Sequence, residues 1–232
     1  MSDNITVNET SVSASSLINL DAQYSGTVDA SAVTTIIGSA SDVINVYSSL
    51  GISGLGNESV TVTDEVTFEH ANTINSYTTS QVILTSVIDT FVNISTIYGL
   101  PTSEVNMASA AVTVTDEITI AQAYAINSYT EGQVKLVSII DSAANLLTLA
   151  SVDNSEMTIT EAKITIVDAP TLAQLRVINS ATSGTITLVE NNFALIGTST
   201  DLVEAFAGSF SSSYTGAVTI VDAPTLAQLK AI

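Results

Sequence analysis

Apolar and polar positions alternate with period two in short runs, and each run gives way to a stretch with helical spacing. Val112-Thr113-Val114-Thr115 sets branched apolar side chains against hydroxyls, the pattern of a strand with one buried face. Leu172, Leu175 and Ile178 fall on one face of a helix. Between the two patterns stands an acid, Asp116 or Asp168, where an N-cap would accept the free amides of a first turn. Pro170 and Pro224 fall inside that predicted first turn, where a missing N–H costs nothing. A second pair has the same plan. Gly132 and Val134-Lys135-Leu136-Val137-Ser138 read as turn and strand, and Ala143, Leu146, Leu147 and Ala150 as the apolar stripe of a helix.

The strand phrase recurs. Val60-Thr61-Val62-Thr63-Asp64-Glu65 returns as Val112-Thr113-Val114-Thr115-Asp116-Glu117, as Ile164-Thr165-Ile166-Val167-Asp168-Ala169 and as Val218-Thr219-Ile220-Val221-Asp222-Ala223. Ile5-Thr6-Val7-Asn8-Glu9 is a degenerate first copy. Asn8, Asp64, Asp116, Asp168 and Asp222 are separated by 56, 52, 52 and 54 residues. Eleven positions after the first four of these comes an Asn behind an Ile: Asn19, Asn75, Asn127 and Asn179. A second phrase, headed by Gly38, Asp89, Asp141 and Gly197 at intervals of 51, 52 and 56, is interleaved in the same register. Two interleaved motifs in step are the signature of a repeat architecture.

A strand–helix unit of about 26 residues, half of the 52-residue interval, cannot bury its apolar face alone and must stack on its neighbours. The expectation is an α/β repeat fold, a right-handed parallel β-solenoid of stacked strand–short-helix units with about 52 residues per double unit. It forms one domain over 1–232, with repeats at 5–59, 60–111, 112–163 and 164–217 and a terminal half-repeat at 218–232. The alternatives are a string of small sandwich domains, for which the unit is too short, and two globular α/β domains, which need no register from end to end. Both termini read as the first kind of half-period, which predicts that head-to-tail stacking of copies would break the alternation and that lateral or capped contacts serve instead.

Composition narrows the chemistry. With 23 acids against 4 bases the net charge is −19, which repels phosphate backbones and anionic headgroups, so nucleic acid and membrane surfaces are poor partners. Absence of Cys removes thiol catalysis, disulfides and thiolate metal sites, and one His cannot build a multi-histidine site. Mean hydropathy of +0.44 argues against disorder. Aromatics at 5% favour a core of thin, small, β-branched layers, and no apolar run reaches the length of a bilayer span. Residues 1–6 carry neither the positive nor the apolar region of a secretory leader. Ser (31) and Thr (32) make up 63 of 232 residues, and the Thr61/Thr63, Thr113/Thr115 and Thr158/Thr160 pairs raise the idea of an ice-binding face, which Val167 and Val221 interrupt.

Asp64, Glu65, Asp116 and Glu117 are calcium candidates, since calcium takes six to eight oxygens, although neither an EF-hand nor a glycine-rich nonapeptide loop is present. Helix capping explains the same acids without a metal, and Asp89 and Asp141, matched by Gly38 and Gly197, read as caps too. Asn75, Asn127 and Asn179 suggest an internal Asn ladder, or a carbohydrate-binding row. His70 stands where other copies hold Gln122, Gln174 and Gln228, the mark of a surface or capping residue more than of a general base. No Gly-x-Ser-x-Gly elbow and no phosphate loop ending in Lys occurs, and Lys135, Lys163, Arg176 and Lys230 are too dispersed for an anion clamp, so no catalytic residue is expected.

Val167-Asp168-Ala169-Pro170-Thr171-Leu172-Ala173-Gln174-Leu175, with Ile178-Asn179 and Ala181-Thr182-Ser183-Gly184-Thr185-Ile186-Thr187 behind it, resembles a repeat of very large cyanobacterial extracellular proteins and of cyanophage structural proteins. The resemblance is closest over 164–232; the middle copies depart from it at Glu65 and Glu117, and residues 5–26 barely keep it. It implies a repetitive scaffold and carries no site residues. A bare N-terminus and a single set of repeats favour a non-enzymatic structural protein of a virion, on the capsid surface or in an appendage. Its implied partners are other virion or surface subunits in a multi-copy or homo-oligomeric assembly, with possible host contact. The alternative is an extracellular adhesion or binding module at the cell surface, with calcium as its one conceivable cofactor.

Overall fold

Strands and helices alternate along the chain, as the two periodicities predict. The computed structural model describes residues 4–150 and 155–232; Met1–Asp3, on which the reading of the leader partly rests, lie outside them. The chain divides into two compact units, Met1–Thr113 with Tyr129–Gly132 and Val114–Ser128 with Gln133–Ile232.

The first unit contains β1 (Ile5–Thr6), β2 (Ser11–Ser13), α1 (Ala14–Gln23), β3 (Val28–Asp29), β4 (Thr35–Gly38), α2 (Ala40–Ser48), β5 (Ile52–Ser53), β6 (Ser59–Val66), α3 (Phe68–Tyr77), β7 (Val82–Asp89), α4 (Phe91–Tyr98) and β8 (Val105–Asn106). Strands β1, β3 and β5 form one parallel sheet, and β2, β4, β6 and β7 run side by side in another, with β8 on β7. The helices pack in chain order, α1 on α2, α2 on α3 and α3 on α4.

The second unit contains β9 (Ala111–Ile118), whose first residues belong to the first unit, α5 (Ile120–Asn127), β10 (Val134–Asp141), α6 (Ala143–Leu149), β11 (Met157–Thr158), β12 (Lys163–Ile166), α7 (Leu172–Ala181), β13 (Thr185–Leu188), β14 (Leu195–Gly197), α8 (Ser199–Phe206), β15 (Ser209–Phe210), β16 (Val218–Ile220) and α9 (Leu226–Ala231). Its sheet order is β9-β10-β12-β13-β15, with β11 on β10 and a separate β14–β16 pair. The registers of β10–β11, β10–β12, β12–β13, β13–β15 and β14–β16 are all parallel. Helices α5 to α9 again pack in chain order.

The core is small and branched. Leu17, Ile36, Ile74 and Ile94 are among the largest fully buried side chains of the first unit, and Ile126, Leu136, Ile139, Leu146 and Ile164 of the second. Among the described residues no aromatic side chain is buried to that degree. Such layers hold strands and helices close, and each methyl removed leaves a void that rigid neighbours cannot fill.

All nine described helices begin on a Ser or Thr, and this revises the sequence reading. The N-caps are Ser13, Ser39, Thr67, Thr90, Thr119, Ser142, Thr171, Thr198 and Thr225, each accepting from the amide three residues on. Asp64, Asp116, Asp168 and Asp222, expected to cap their own helices, stand three residues too early. Pro170 and Pro224 likewise precede the N-cap, outside the first turn. In α6 the buried stripe is Ala143, Leu146 and Leu149, while Leu147 is exposed, so the stripe keeps a spacing of three rather than the expected adjacent pair.

Two kinds of segment are distinguished by these caps. The first kind has Thr at the cap, Asp three residues before it and Ile-Asn seven and eight residues after it where the chain reaches that far: Thr67, Thr119, Thr171 and Thr225. The second kind has Gly or Asp directly before the cap: Ser39, Thr90, Ser142 and Thr198. The opening helix α1 has the marks of neither kind, since Val12 directly precedes its cap Ser13 and Thr10, not Asp, stands three residues before it. Its Ser13-Ala14 and Ile18-Asn19 stand at the same offsets as Ser39-Ala40 and Ile44-Asn45, so Asn19 is six residues past its cap where Asn75 is eight past Thr67. The expectation that the chain opens on a segment of the first kind is thereby corrected, while α9, with Thr225 at its cap and Asp222 three residues before, has the marks of that kind.

Because Ile126 fills a fully buried position on α5, Ile126→Ala is expected to lower unfolding free energy by about 2–5 kcal/mol. The exposed Val177→Ala on α7 should change it by less than about 0.5 kcal/mol. Urea titration of both variants checks this; equal small effects would contradict the assignment of the core.

Candidate functional site

A helix leaves its first amides without intrahelical partners, and these attract carboxylates. Here the carboxylate comes from the next segment. The amide of the first helical residue donates to an Asp some two dozen residues further on: Ala40 to Asp64 Oδ1 (2.7 Å), Phe68 to Asp89 Oδ2 (2.9 Å), Ile120 to Asp141 Oδ2 (3.0 Å), Ala143 to Asp168 Oδ1 (2.7 Å) and Ser199 to Asp222 Oδ1 (2.8 Å). Each of these helix starts therefore has two caps. Its own Ser or Thr takes the third amide, and the next segment's Asp takes the first.

Local structure aims each acid. Asp64 lies within β6, not at its end, in an irregularity where Val62 pairs Leu84 but Glu65 pairs Ser86. The extra residue turns the Asp64 side chain toward α2. Asp89 and Asp141 end their strands and each use the second oxygen locally, accepting from the Thr90 amide and Asn93 Nδ2, and from the Ser142 amide and Asn145 Nδ2. Asp116 is engaged as well. Gly38 and Gly197 fill the matching place without a carboxylate, and a neighbouring side chain occupies the space. A Cβ on Gly38 would stand 2.8 Å from Ala14 Cβ, and one on Gly197 2.2 Å from Leu172 Cδ2, so the strand approaches the first residue of α1 and of α7 directly.

Burial pushes the Asp89 carboxyl up, but the amides of Phe68 and Thr90 and the Asn93 side chain outweigh it and hold it below the ordinary range. Asp141 behaves alike, with Asn145, Ile120 and Ser142 as donors. For Asp222 the Ser199 amide is the leading cause of a lowered value.

Of the calcium candidates, Asp64 is a cap, while Glu65 and Glu117 lie on strands among hydroxyls. Glu65 Oε1 accepts from Thr113 (3.4 Å), and Glu117 Oε1 accepts from Thr165 (2.9 Å) and Ser138 (3.4 Å). Among the described residues no cluster of three or more His, Asp or Glu has the spacing to hold a metal. His70 is exposed at the third helical position of α3, its amide donating to Thr67. At the same position Gln122, Gln174 and Gln228 complete capping boxes with Thr119, Thr171 and Thr225, which accounts for their interchange with His. Asn75, Asn127 and Asn179 are half-buried on helices and not inside the core. Asn179 Nδ2 donates to the Glu204 carbonyl on α8. It lies in an open groove of about 560 Å³ beside Arg176, whose guanidinium binds Asp201 (2.5 Å) and Glu204.

Two features escaped sequence reading. Within each unit buried threonines also join segments: the hydroxyls of Thr78, Thr130 and Thr182 donate to the carbonyls of Glu58, Ala110 and Ala162, each at 2.6 Å. The same oxygens accept from the amides of Ser80, Gly132 and Gly184. The 52-residue spacing of these threonines was a visible signal, hidden by the abundance of hydroxyls. Glu58 is fully buried, accepting from Tyr47 Oη (2.9 Å) and the Gly56 amide (2.8 Å), and nothing in the repeat marks it. Burial, then the Glu58 charge, pushes the Tyr47 hydroxyl up.

No sequence family, no characterised protein and no solved structure matches the chain. Geometry alone therefore describes the site: a set of carboxylates, each joining a strand to the helix of the segment before it.

Loss of one such bond should be felt across a segment boundary. Asp141→Ala is expected to cost about 1 kcal/mol, as removal of a cap does. The contribution has a pH signature. A carboxylate depressed in the fold stabilises above its unfolded pKa, near 3.9, and loses that stabilisation as pH falls through the folded value. The lead of wild type over Asp141→Asn in urea midpoint should be constant between pH 7 and about 5 and close below about 4. A lead that persisted in acid would show that the charge is not what caps α5.

Proposed function

We propose that the chain is a non-enzymatic structural protein of a virion, at the capsid surface or in an appendage, built as a right-handed parallel β-solenoid with about 52 residues per double unit. One observation carries the reading: the acids that a catalytic or metal site would draw on are hydrogen-bonded across segment boundaries, so that the repeated chemistry of the chain is the chemistry of joining segments. Parallel registers, helices that pack in chain order and the resemblance of residues 164–232 to cyanophage structural repeats support it. Parallel strands joined through a helix favour the right-handed crossover.

The reading predicts that the chain co-purifies with particles and that their proteome contains it at a fixed ratio to the main capsid protein. Mass spectrometry of gradient-purified virions is the test, and its absence from them would end the proposal. EDTA is expected to leave the melting temperature unchanged; a fall of several degrees restored by calcium would favour the adhesion module instead.

A further inference from the structure

Two successive double segments hold a stacked pair of tyrosines where the next one holds alanines. Eight residues past the caps Ser39, Thr90 and Thr198 stand Tyr47, Tyr98 and Phe206, but the same offset from Ser142 gives Ala150. Ten residues past Thr67 and Thr119 stand Tyr77 and Tyr129, but past Thr171 stands Ala181. Tyr47 lies on Tyr77, ring centroids 5.3 Å apart and 16° from parallel, and Tyr98 lies on Tyr129, 3.9 Å apart and 10° from parallel. Phe206 also meets other rings, those of Phe210 and Tyr214. Of the four positions, only Ala150 offers no ring.

The backbone around the three sites keeps one pattern. The amides of Thr79, Glu131 and Ser183, two residues after Tyr77, Tyr129 and Ala181, donate to the carbonyls of Gly56, Ala108 and Thr160 at 3.0, 2.7 and 2.7 Å. What differs is the filling. An opening of about 250 Å³ lies against Ala150 and Ala181, between α6 and α7. Among the described residues its apolar lining is Leu149 and Ile159, 3% and 5% exposed, with Val177 at 40%. Thr160 and Ser180 add hydroxyls. The volume is below that of a pocket for a drug-sized molecule and suits a single ring. Left empty, such a space forfeits the packing contacts that a close-packed interior makes.

We propose that this opening binds a free, single-ring aromatic molecule of the phenol class, which takes the place that tyrosine rings fill in the two preceding double segments. The ring lies against the apolar side chains of Leu149, Ile159 and Val177, and its hydroxyl turns to Ser180 or Thr160. Ser180 Oγ donates its own proton to the Val177 carbonyl (2.8 Å), so its oxygen can accept one from a phenol O–H. Apolar walls with a few polar atoms are what a ring with one polar handle requires. The inference rests on the repeat alone and stands whether or not the chain has a place in a virion.

Titration of the 232-residue chain with p-cresol, the tyrosine side chain as a free molecule, tests this by calorimetry and methyl NMR. One p-cresol should bind per chain, saturably, with ring-current shifts at the methyls of Leu149, Ile159 and Val177. The methyls of Val46 and Ile97, which stand seven residues past their caps as Leu149 does, should not move. 4-Methylcyclohexanol should bind severalfold more weakly, because a puckered ring is thicker than the flat one whose place it takes. Ala150→Tyr/Ala181→Tyr rebuilds the pair of the preceding segments and should abolish binding while raising the melting temperature by a few degrees. Circular dichroism establishes that the variant is folded, and if it is not, Ala181→Phe alone must abolish binding. Lack of saturable binding by the wild type overturns the proposal. So do shifts confined to other methyls, equal affinity for the puckered ring, and binding that persists in a folded variant.

Discussion

The hydrogen bond from the first amide of a helix to the carboxylate of the next segment is the constraint around which these units are organised. Helices of six to ten residues cannot satisfy their ends with their own backbone and are too short to be stable alone. An Asp delivered by the neighbouring strand meets both needs. It fills the vacant donor, and it places negative charge at the positive end of the helix dipole. The bond also fixes distance. An Asp one residue out of place would reach neither the amide of Ala143 nor that of Ile120, so correct capping and correct stacking become one condition.

Composition obeys the same geometry. A strand–helix segment whose apolar layer consists of Val, Ile, Leu and Ala sits close to the next, and the short Asp side chain spans that gap. Glu65 and Glu117, with their longer side chains, lie on strands and reach across to hydroxyls two strands away. The surplus of acid over base is tolerable because many of the carboxylates face amides or hydroxyls rather than each other. Arg176 joins α7 to α8, the boundary at which Gly197 stands in place of a capping Asp. Guanidinium and carboxylate there supply the link that the backbone amide and Asp supply elsewhere.

Much of this was legible in the sequence, because repetition converts one segment's chemistry into a pattern. The strands at 59–66 and 111–118, the helices after them and the importance of Asp64, Asp116, Asp168 and Asp222 all come from periodicity. The direction in which the acids point did not. A capping Asp looks the same in sequence whether it serves the helix after it or the helix before it, and only the Thr three residues later distinguishes the two. Once Thr67, Thr119 and Thr171 are recognised as the local caps, the acids are left free to serve a neighbour, and Gln122 and Gln174 acquire their role in the capping box. The assignment of the first segment failed for a related reason. Asn8 and Asn19 imitate the eleven-residue spacing, whereas the cap at Ser13 shows where that helix begins. Glu58 and its tie to Tyr47 were beyond reach, since a buried acid that occurs once has no period to reveal it.

The links that join segments are short in sequence. The capping bonds span 21 to 25 residues, and the bonds of Thr78, Thr130 and Thr182 span 20. A fold whose defining contacts are this local has little loop entropy to overcome at each step, so a completed segment can serve as the template for the next. Locality also makes the order of segments informative. Because the helix starts at Ala40, Phe68, Ile120, Ala143 and Ser199 are each completed by the successor in the chain, such a segment is finished only when that successor has docked.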